Sequence, residues 1–85
     1  MKTVIATTAA PGAIGPYSQA IEANGFVFVS GQIPLDPATS AFVPGGVEEQ
    51  AEQSLRNLKA VLAGAGCTME DVVKTTVFLT DMGAF

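Results

Sequence analysis

Between residues 47 and 65, apolar side chains recur at Val47, Ala51, Leu55, Leu58, Leu62 and Ala65, always three or four positions apart. That spacing lines up one apolar stripe at the period of an α-helix, so the pattern predicts a helix over Val47–Ala65. The opposite side carries Glu49, Glu52, Gln53, Arg56 and Lys59. Acids come before bases, as the helix dipole favours, and Glu52 and Arg56 stand in the better i,i+4 order. Pro44-Gly45-Gly46 gives the helix an abrupt start, and Gly66 is placed to end it in a left-handed conformation.

Elsewhere the pattern is short and β-branched. Lys2–Ala6 reads as a strand. Pro11, Gly12 and Gly15 break the chain into a loop over Ala9–Gly15. Tyr17–Ala23 and Phe26–Gly31 flank Asn24-Gly25, a pair suited to the two positive-φ positions of a type I′ hairpin turn. The Phe-Val-Phe-Val run from Phe26 to Val29 is apolar at every position, as in a strand covered on both faces. Gln32–Gly46 holds three prolines and two glycines and reads as a long loop with one irregular edge segment near Ala41–Val43. Thr68-Met-Glu-Asp71 has the form of a capping box opening a single helical turn. Val72–Leu79 has the highest strand propensity in the chain.

The expected order is therefore three strands, a loop, a helix and a fourth strand, in one α+β domain spanning residues 1–85. Its one helix covers one sheet face. The other face is apolar with nothing in the chain to lie on it, which argues for burial against another subunit. Thr80 and Asp81 are good N-cap residues straight after a strand, so a second helix would begin there. On that pattern residues 1–85 read as a domain cut short on its C-terminal side; a last strand fraying at a natural terminus is the alternative.

Composition narrows the options. With 85 residues and 8.7 kDa, the chain hides only roughly 60–65% of its unfolded surface on folding, so a disulfide, a metal or a partner chain is the usual supplement. Cys67 is the single cysteine and histidine is absent. An intrachain disulfide is impossible, and metal is poorly supported because one cysteine without histidine cannot build a zinc cage. Partner chains remain. Eight acids against four bases give a net charge of −4, unsuited to nucleic acid. Neither a membrane span nor a signal peptide is visible, and a lone cysteine suits a reducing cytoplasm.

Without histidine there is no Ser-His or Cys-His pair, and no phosphate-binding glycine motif occurs. Tyr17, in Gly15-Pro16-Tyr17-Ser18-Gln19, stands at the mouth of a strand, either as a ligand contact or as a rim tyrosine with a wet hydroxyl. Ser30-Gly31-Gln32 closes a strand, where glycine admits a close approach and Ser30 offers a hydroxyl; an ordinary strand exit is the plainer reading. Cys67 follows the carbonyl end of a helix, where a thiolate is disfavoured, and reads as inert. Glu48, Glu49 and Glu52 read as a solvated face.

Several blocks together resemble one family. Ala10-Pro-Gly-Ala-Ile-Gly-Pro-Tyr-Ser-Gln19, Val29-Ser-Gly-Gln-Ile-Pro34, Gln53-Ser-Leu-Arg-Asn-Leu58 and Val73-Lys-Thr-Thr-Val-Phe-Leu79 closely resemble, in order, the N-terminal and larger part of the RidA/YjgF/YER057c reactive intermediate deaminases. The resemblance implies a chorismate-mutase-like α+β fold, its sheet backed by helices on one face, with the C-terminal helix and strands beyond this chain. It also implies a homotrimer with ligand clefts between subunits. The implied reaction is hydrolysis of 2-imino acids such as 2-iminobutanoate and 2-iminopropanoate, or their enamine tautomers, to 2-oxo acids and ammonia, with no cofactor. Tyr17, Ser30 and Gly31 match the family's substrate-binding positions. The family's carboxylate-binding arginine and water-handling glutamate fall beyond Phe85, and Arg56 lies off the motif. A small-carboxylate-binding or regulatory module is the alternative. RNA cleavage with translation inhibition, ascribed to some members, is opposed by the acidic charge and the lack of a basic patch.

Overall fold

Residues 2–81 and Gly83 are described in the computed structural model. Three short strands, β1 (Lys2–Ile5), β2 (Ala20–Ala23) and β3 (Phe26–Val29), form an antiparallel sheet in the order β1-β2-β3. Asn24 and Gly25, with φ of 53° and 79°, make the β2–β3 turn as the sequence predicts. The pairing aligns Ile5 with Ala20 and Ala20 with Val29, and next to them Val4 with Ile21 and Ile21 with Phe28. Because side chains alternate along a strand, Ile5, Ala20, Val27 and Val29 share one face. Val4, Ile21, Ala23, Phe26 and Phe28 share the other.

The helix α1 (Val47–Gly64) covers the first face. Its start is held by Glu49, whose carboxylate accepts from the Gly46 N–H at 3.1 Å. It ends as Gly66 predicts: φ is 78°, the Cys67 N–H reaches the Leu62 carbonyl at 2.8 Å, and the Gly66 N–H reaches that of Ala63 at 3.0 Å. Ile5, Ala10, Ala20 and Val61 form the buried centre, edged by Val27, Val29, Ala60 and Ala65. The inward stripe is rotated from the predicted one. Leu58, Leu62 and Ala65 do turn inward, but Val47, Ala51 and Leu55 are exposed, and Asn57 and Val61 are buried in their stead. The sheet extends under only the C-terminal half of α1, so the apolar residues of its first turns have nothing to lie on.

The long loop is more ordered than its prolines suggest. Leu35 bridges Phe42, the Val43 N–H donates to the Pro34 carbonyl at 3.0 Å, and the Asp36 N–H donates to the Ala41 carbonyl at 2.8 Å. This is the irregular edge segment expected near Ala41–Val43. The capping sequence at Thr68 forms a single 3-10 turn, Met69–Asp71, with the Asp71 carboxylate accepting from the Thr68 N–H at 2.8 Å.

Three expectations need correction. The second strand begins at Ala20, not Tyr17, because the chain from Gly15 to Gln19 is bent away from β1. The third ends at Val29 and lies at the sheet edge, with one face covered and not two. Most consequentially, Val72–Leu79 is not a strand. It leaves the 3-10 turn extended, with Val72 at φ −75° and ψ 124°, yet among the described residues 73–79 make no ladder and no backbone hydrogen bond. High propensity marks a segment that fits a pleated surface, but a ladder requires a neighbour, and Val73 and Phe78 stand 91% and 92% exposed. The second helix expected after Thr80 falls largely on residues outside those described; Asp81 accepts from the Gly83 N–H at 2.9 Å.

Among the described residues, the second sheet face is left exposed at Val4, Phe26 and Phe28. Phe26 and Phe28, 61% and 63% exposed, lie with ring centroids 6.3 Å apart beside exposed Val4. The whole chain presents 6309 Å² to solvent, where a compact monomer of this mass presents about 4,700 Å².

Candidate functional site

Residues 6–19 run from β1 to β2, and Tyr17 lies near the end of that loop. Pro16 sits at the centre of a three-residue turn in which the Tyr17 N–H donates to the Gly15 carbonyl at 2.8 Å. The turn lays the Tyr17 ring over Gly15, 3.7 Å from where a β-carbon would stand. The ring is half exposed.

The loop is fastened by Gln19, whose side chain is buried beneath it. Its Oε1 accepts from the Thr7 N–H at 2.7 Å, and its Nε2 donates to the carbonyls of Thr7 at 3.1 Å, Pro11 at 2.7 Å and, at the longer 3.4 Å, Ala10. The side-chain amide thus pairs with both polar groups of the Thr7 backbone, as a neighbouring peptide would, and carries the β1–β2 ladder past its last regular pair.

The exit of β3 meets the same place. The Ser30 N–H donates to the Gln19 carbonyl at 3.0 Å, and the Ser30 hydroxyl donates to the Ser18 carbonyl. Gly31 follows, with nothing within 4 Å of the position a β-carbon would take. Beyond it, Ile33 and Leu35 are held from α1 by Asn57. The Asn57 Nδ2 donates to their carbonyls at 3.1 and 3.0 Å, and its Oδ1 accepts from Gln53 at 2.9 Å.

Between these two walls is a small depression of about 30 Å³, lined by Ile14, Tyr17, Gly31, Gln32 and Ile33 with Gln19 at its side. That volume suits a water or two, not an organic acid. On the other side of Tyr17 an open groove of about 410 Å³ runs past Val4, Thr7, Thr8, Ala13 and Ser18. The structure therefore brings Tyr17 and Gly31 to the two sides of one depression. Ser30 does not line the depression. It staples the two walls, its hydroxyl proton committed to Ser18 and its lone pairs still open. Among the described residues no cation or carboxylate lines either hollow. Arg56 lies elsewhere, in an exposed pair with Glu52 at 3.1 Å.

The sequence reading missed Gln19 and Asn57 as site-building residues. Neither left a local signal: Asn57 lies off the apolar stripe read from the sequence, and the partners of Gln19 are backbone groups eight to twelve residues earlier.

Comparison with known proteins decides the family. The model of the Endoribonuclease L-PSP family (Ribonuc_L-PSP) matches residues 7–85. The chain belongs to this family, the RidA/YjgF group. Over all 85 residues it is 53% identical to the 2-iminobutanoate/2-iminopropanoate deaminase of Mus musculus, spanning 63% of that protein's length. A solved Rid family protein, YyfA from Yersinia pestis, superimposes over 98% of this chain and 66% of its own, with a TM-score of 0.94 and 51% identity. E. coli TdcF with bound serine matches 95% of this chain and 63% of its own, with a TM-score of 0.90 and 47% identity. The α+β arrangement of this RidA/YjgF chain is thus that of its family. Among its described residues no helix is long and apolar enough to cross a membrane.

Proposed function

We propose that the protein hydrolyses reactive 2-imino acids, 2-iminobutanoate and 2-iminopropanoate among them, or their enamine tautomers, to 2-oxo acids and ammonia. The observation that carries this reading is the full-length match of these 85 residues to a relative named for that activity; the depression between Tyr17 and Gly31 supports it. Hydrolysis of an iminium needs little from a protein. The substrate must be held with its C=N carbon open to water, and the nitrogen must stay protonated so that it leaves as ammonia. Tyr17 closes the cleft over the substrate. Gly31 lets it approach the backbone, and Ser30 holds the two walls together through Ser18 and Gln19.

A carboxylate held by an arginine gains ~1.5–3 kcal/mol per charged hydrogen bond, and among the described residues neither hollow holds a cation. We assign that cation, and the acid that handles the water, to parts of the protein other than residues 1–85. We also assign the exposed sheet face to a homotrimer, which would wall the clefts with neighbouring subunits. The 85-residue polypeptide alone is then a weak or inactive deaminase acting in the cytoplasm only as part of the complete protein. The test is ammonia release from enzymatically generated 2-iminobutanoate. Acceleration by the complete protein and little by the 85-mer is expected. No acceleration by either overturns the reading, and full rates from the 85-mer overturn the division of the site.

One observation favours a second reading, a module that binds small carboxylates without turnover: a structural relative is described with bound serine. Saturable binding of 2-oxobutanoate without imine hydrolysis would favour it. Ribonuclease activity, the family's descriptive name, is opposed by the −4 charge.

A further inference from the structure

We propose that Gln19 is a positioning residue of the cleft. Its side-chain amide sets the loop that carries Tyr17, and its backbone carbonyl sets the strand exit that carries Ser30 and Gly31. This role rests on the deaminase reading only where turnover is measured.

Gln19 is only 5% exposed, yet it touches both walls. From Thr8 to Ser18, the loop's long-range hydrogen bonds among the described residues are two sets. One is the Nε2 bonds to Ala10 and Pro11, and the other is the Ser30 hydroxyl to Ser18. The remaining bonds in this stretch are local, Ala9 to Thr7 and Tyr17 to Gly15. Apart from the Ser30 staple and the packing of Ala10 into the core, the loop is located by one side chain, at its root on Thr7 and at its bend on Pro11. Ser30, in turn, is hung from the Gln19 carbonyl at 3.0 Å. A shift of Gln19 moves both halves of the wall together.

The chemistry is selective for glutamine. The site needs, on one planar group, an acceptor for one N–H and two N–H donors shared among three carbonyls, Ala10 at the longest distance. A carboxylate there would face three carbonyl oxygens with no proton to offer. An ammonium would leave the Thr7 N–H without its acceptor, and a thioether would satisfy nothing. Asparagine carries the amide one methylene short.

The experiment uses the complete protein with a fluorine reporter on the Tyr17 ring, comparing wild type with Gln19→Glu and Gln19→Met. Fluorine NMR reports the ring, steady-state kinetics with 2-iminobutanoate report KM and kcat, and circular dichroism supplies the folded fraction. Both variants should show the Tyr17 signal moved toward that of the free amino acid. Per folded molecule, kcat/KM should fall roughly 10²-fold, mainly through a higher KM. An unmoved fluorine signal, or wild-type kinetics per folded molecule, overturns the role.

A measurement on the wild type covers the case in which the variants do not fold. On titration with 2-oxobutanoate, the Gln19 side-chain amide resonance should move with the same midpoint as the Tyr17 fluorine. A Tyr17 response with the Gln19 amide unmoved overturns the role. If the wild type binds 2-oxobutanoate but hydrolyses no imine, the deaminase reading fails while the NMR arms still decide the role of Gln19.

Discussion

Asn57→Leu keeps the forked shape of the most buried polar residue in the chain, at somewhat larger volume, and removes its polar atoms. Asn57 is 1% exposed, and its amide is the link between α1 and the strand exit at Ile33 and Leu35. The bond to the Leu35 carbonyl is buried, so losing it strands an acceptor at a cost of about 1–3 kcal/mol. The Ile33 carbonyl is closer to solvent and can recover a water, so that bond is worth about 0.5–1.5 kcal/mol. Added burial of the leucine methyls offsets part of this. The expected loss is about 2–3 kcal/mol, a large share of the roughly 4–13 kcal/mol typical of a domain this size. Urea titration followed by circular dichroism reads it as a midpoint shift of about 2–3 M at a slope near 1 kcal/mol per M. A loss under about 0.5 kcal/mol would refute the reasoning, because the carbonyls would then have no need of their partner. Asn57→Asp tests the same geometry by charge. A carboxylate pressed against two carbonyls is disfavoured, which raises its folded pKa above the unfolded value. The folded state then holds more protons, so stability should fall as pH rises from about 4 toward 7. Stability that rose over that window would contradict the placement.

Replacing Gly66 by Ala should cost about 1 kcal/mol, because φ of 78° is unfavourable for any residue with a β-carbon while no neighbour obstructs one; a thermal melt should fall by about 4–8 °C. Gly31→Ala meets open space within the chain, so the unfolding midpoint should stay within about 0.5 kcal/mol while KM for an imino acid rises. An unchanged KM would remove Gly31 from the wall. On the outer sheet face, Phe26→Glu with Phe28→Glu should turn an associating protein into a monomer in sedimentation velocity, since each phenylalanine buries about 1.5–3 kcal/mol of apolar surface. An unchanged sedimentation coefficient would show that the face is not the contact.

Where a signal was local, the sequence carried it. Asn24-Gly25 must turn in one way wherever it lies between two strands, and Gly66 ends a helix by its own backbone freedom, so both were legible. The four blocks running from Ala10 to Leu79 pointed to the family, and the resemblance carried Tyr17, Ser30 and Gly31 along as candidate substrate contacts. Features that depend on distant partners were not legible. The inward side of α1 depends on where the sheet stops beneath it, which is why Leu55 faces out and Asn57 in. Val72–Leu79 has every local mark of a strand, but pairing is a property of two segments and one was read alone. Gln19 looked like the end of a motif because its four hydrogen bonds go to backbone groups eight to twelve residues earlier, which leave no trace in side-chain pattern.

The donor ends of both amide fasteners grip main chain. Gln19 holds carbonyls of Thr7, Ala10 and Pro11, and Asn57 holds those of Ile33 and Leu35. Main-chain groups are the same whatever residue carries them. The side chains that project from these segments are thus free to change without loosening the clamps. A lineage can retailor the lining of the cleft for a larger or more polar metabolite by single substitutions, each made without refolding the walls that present it.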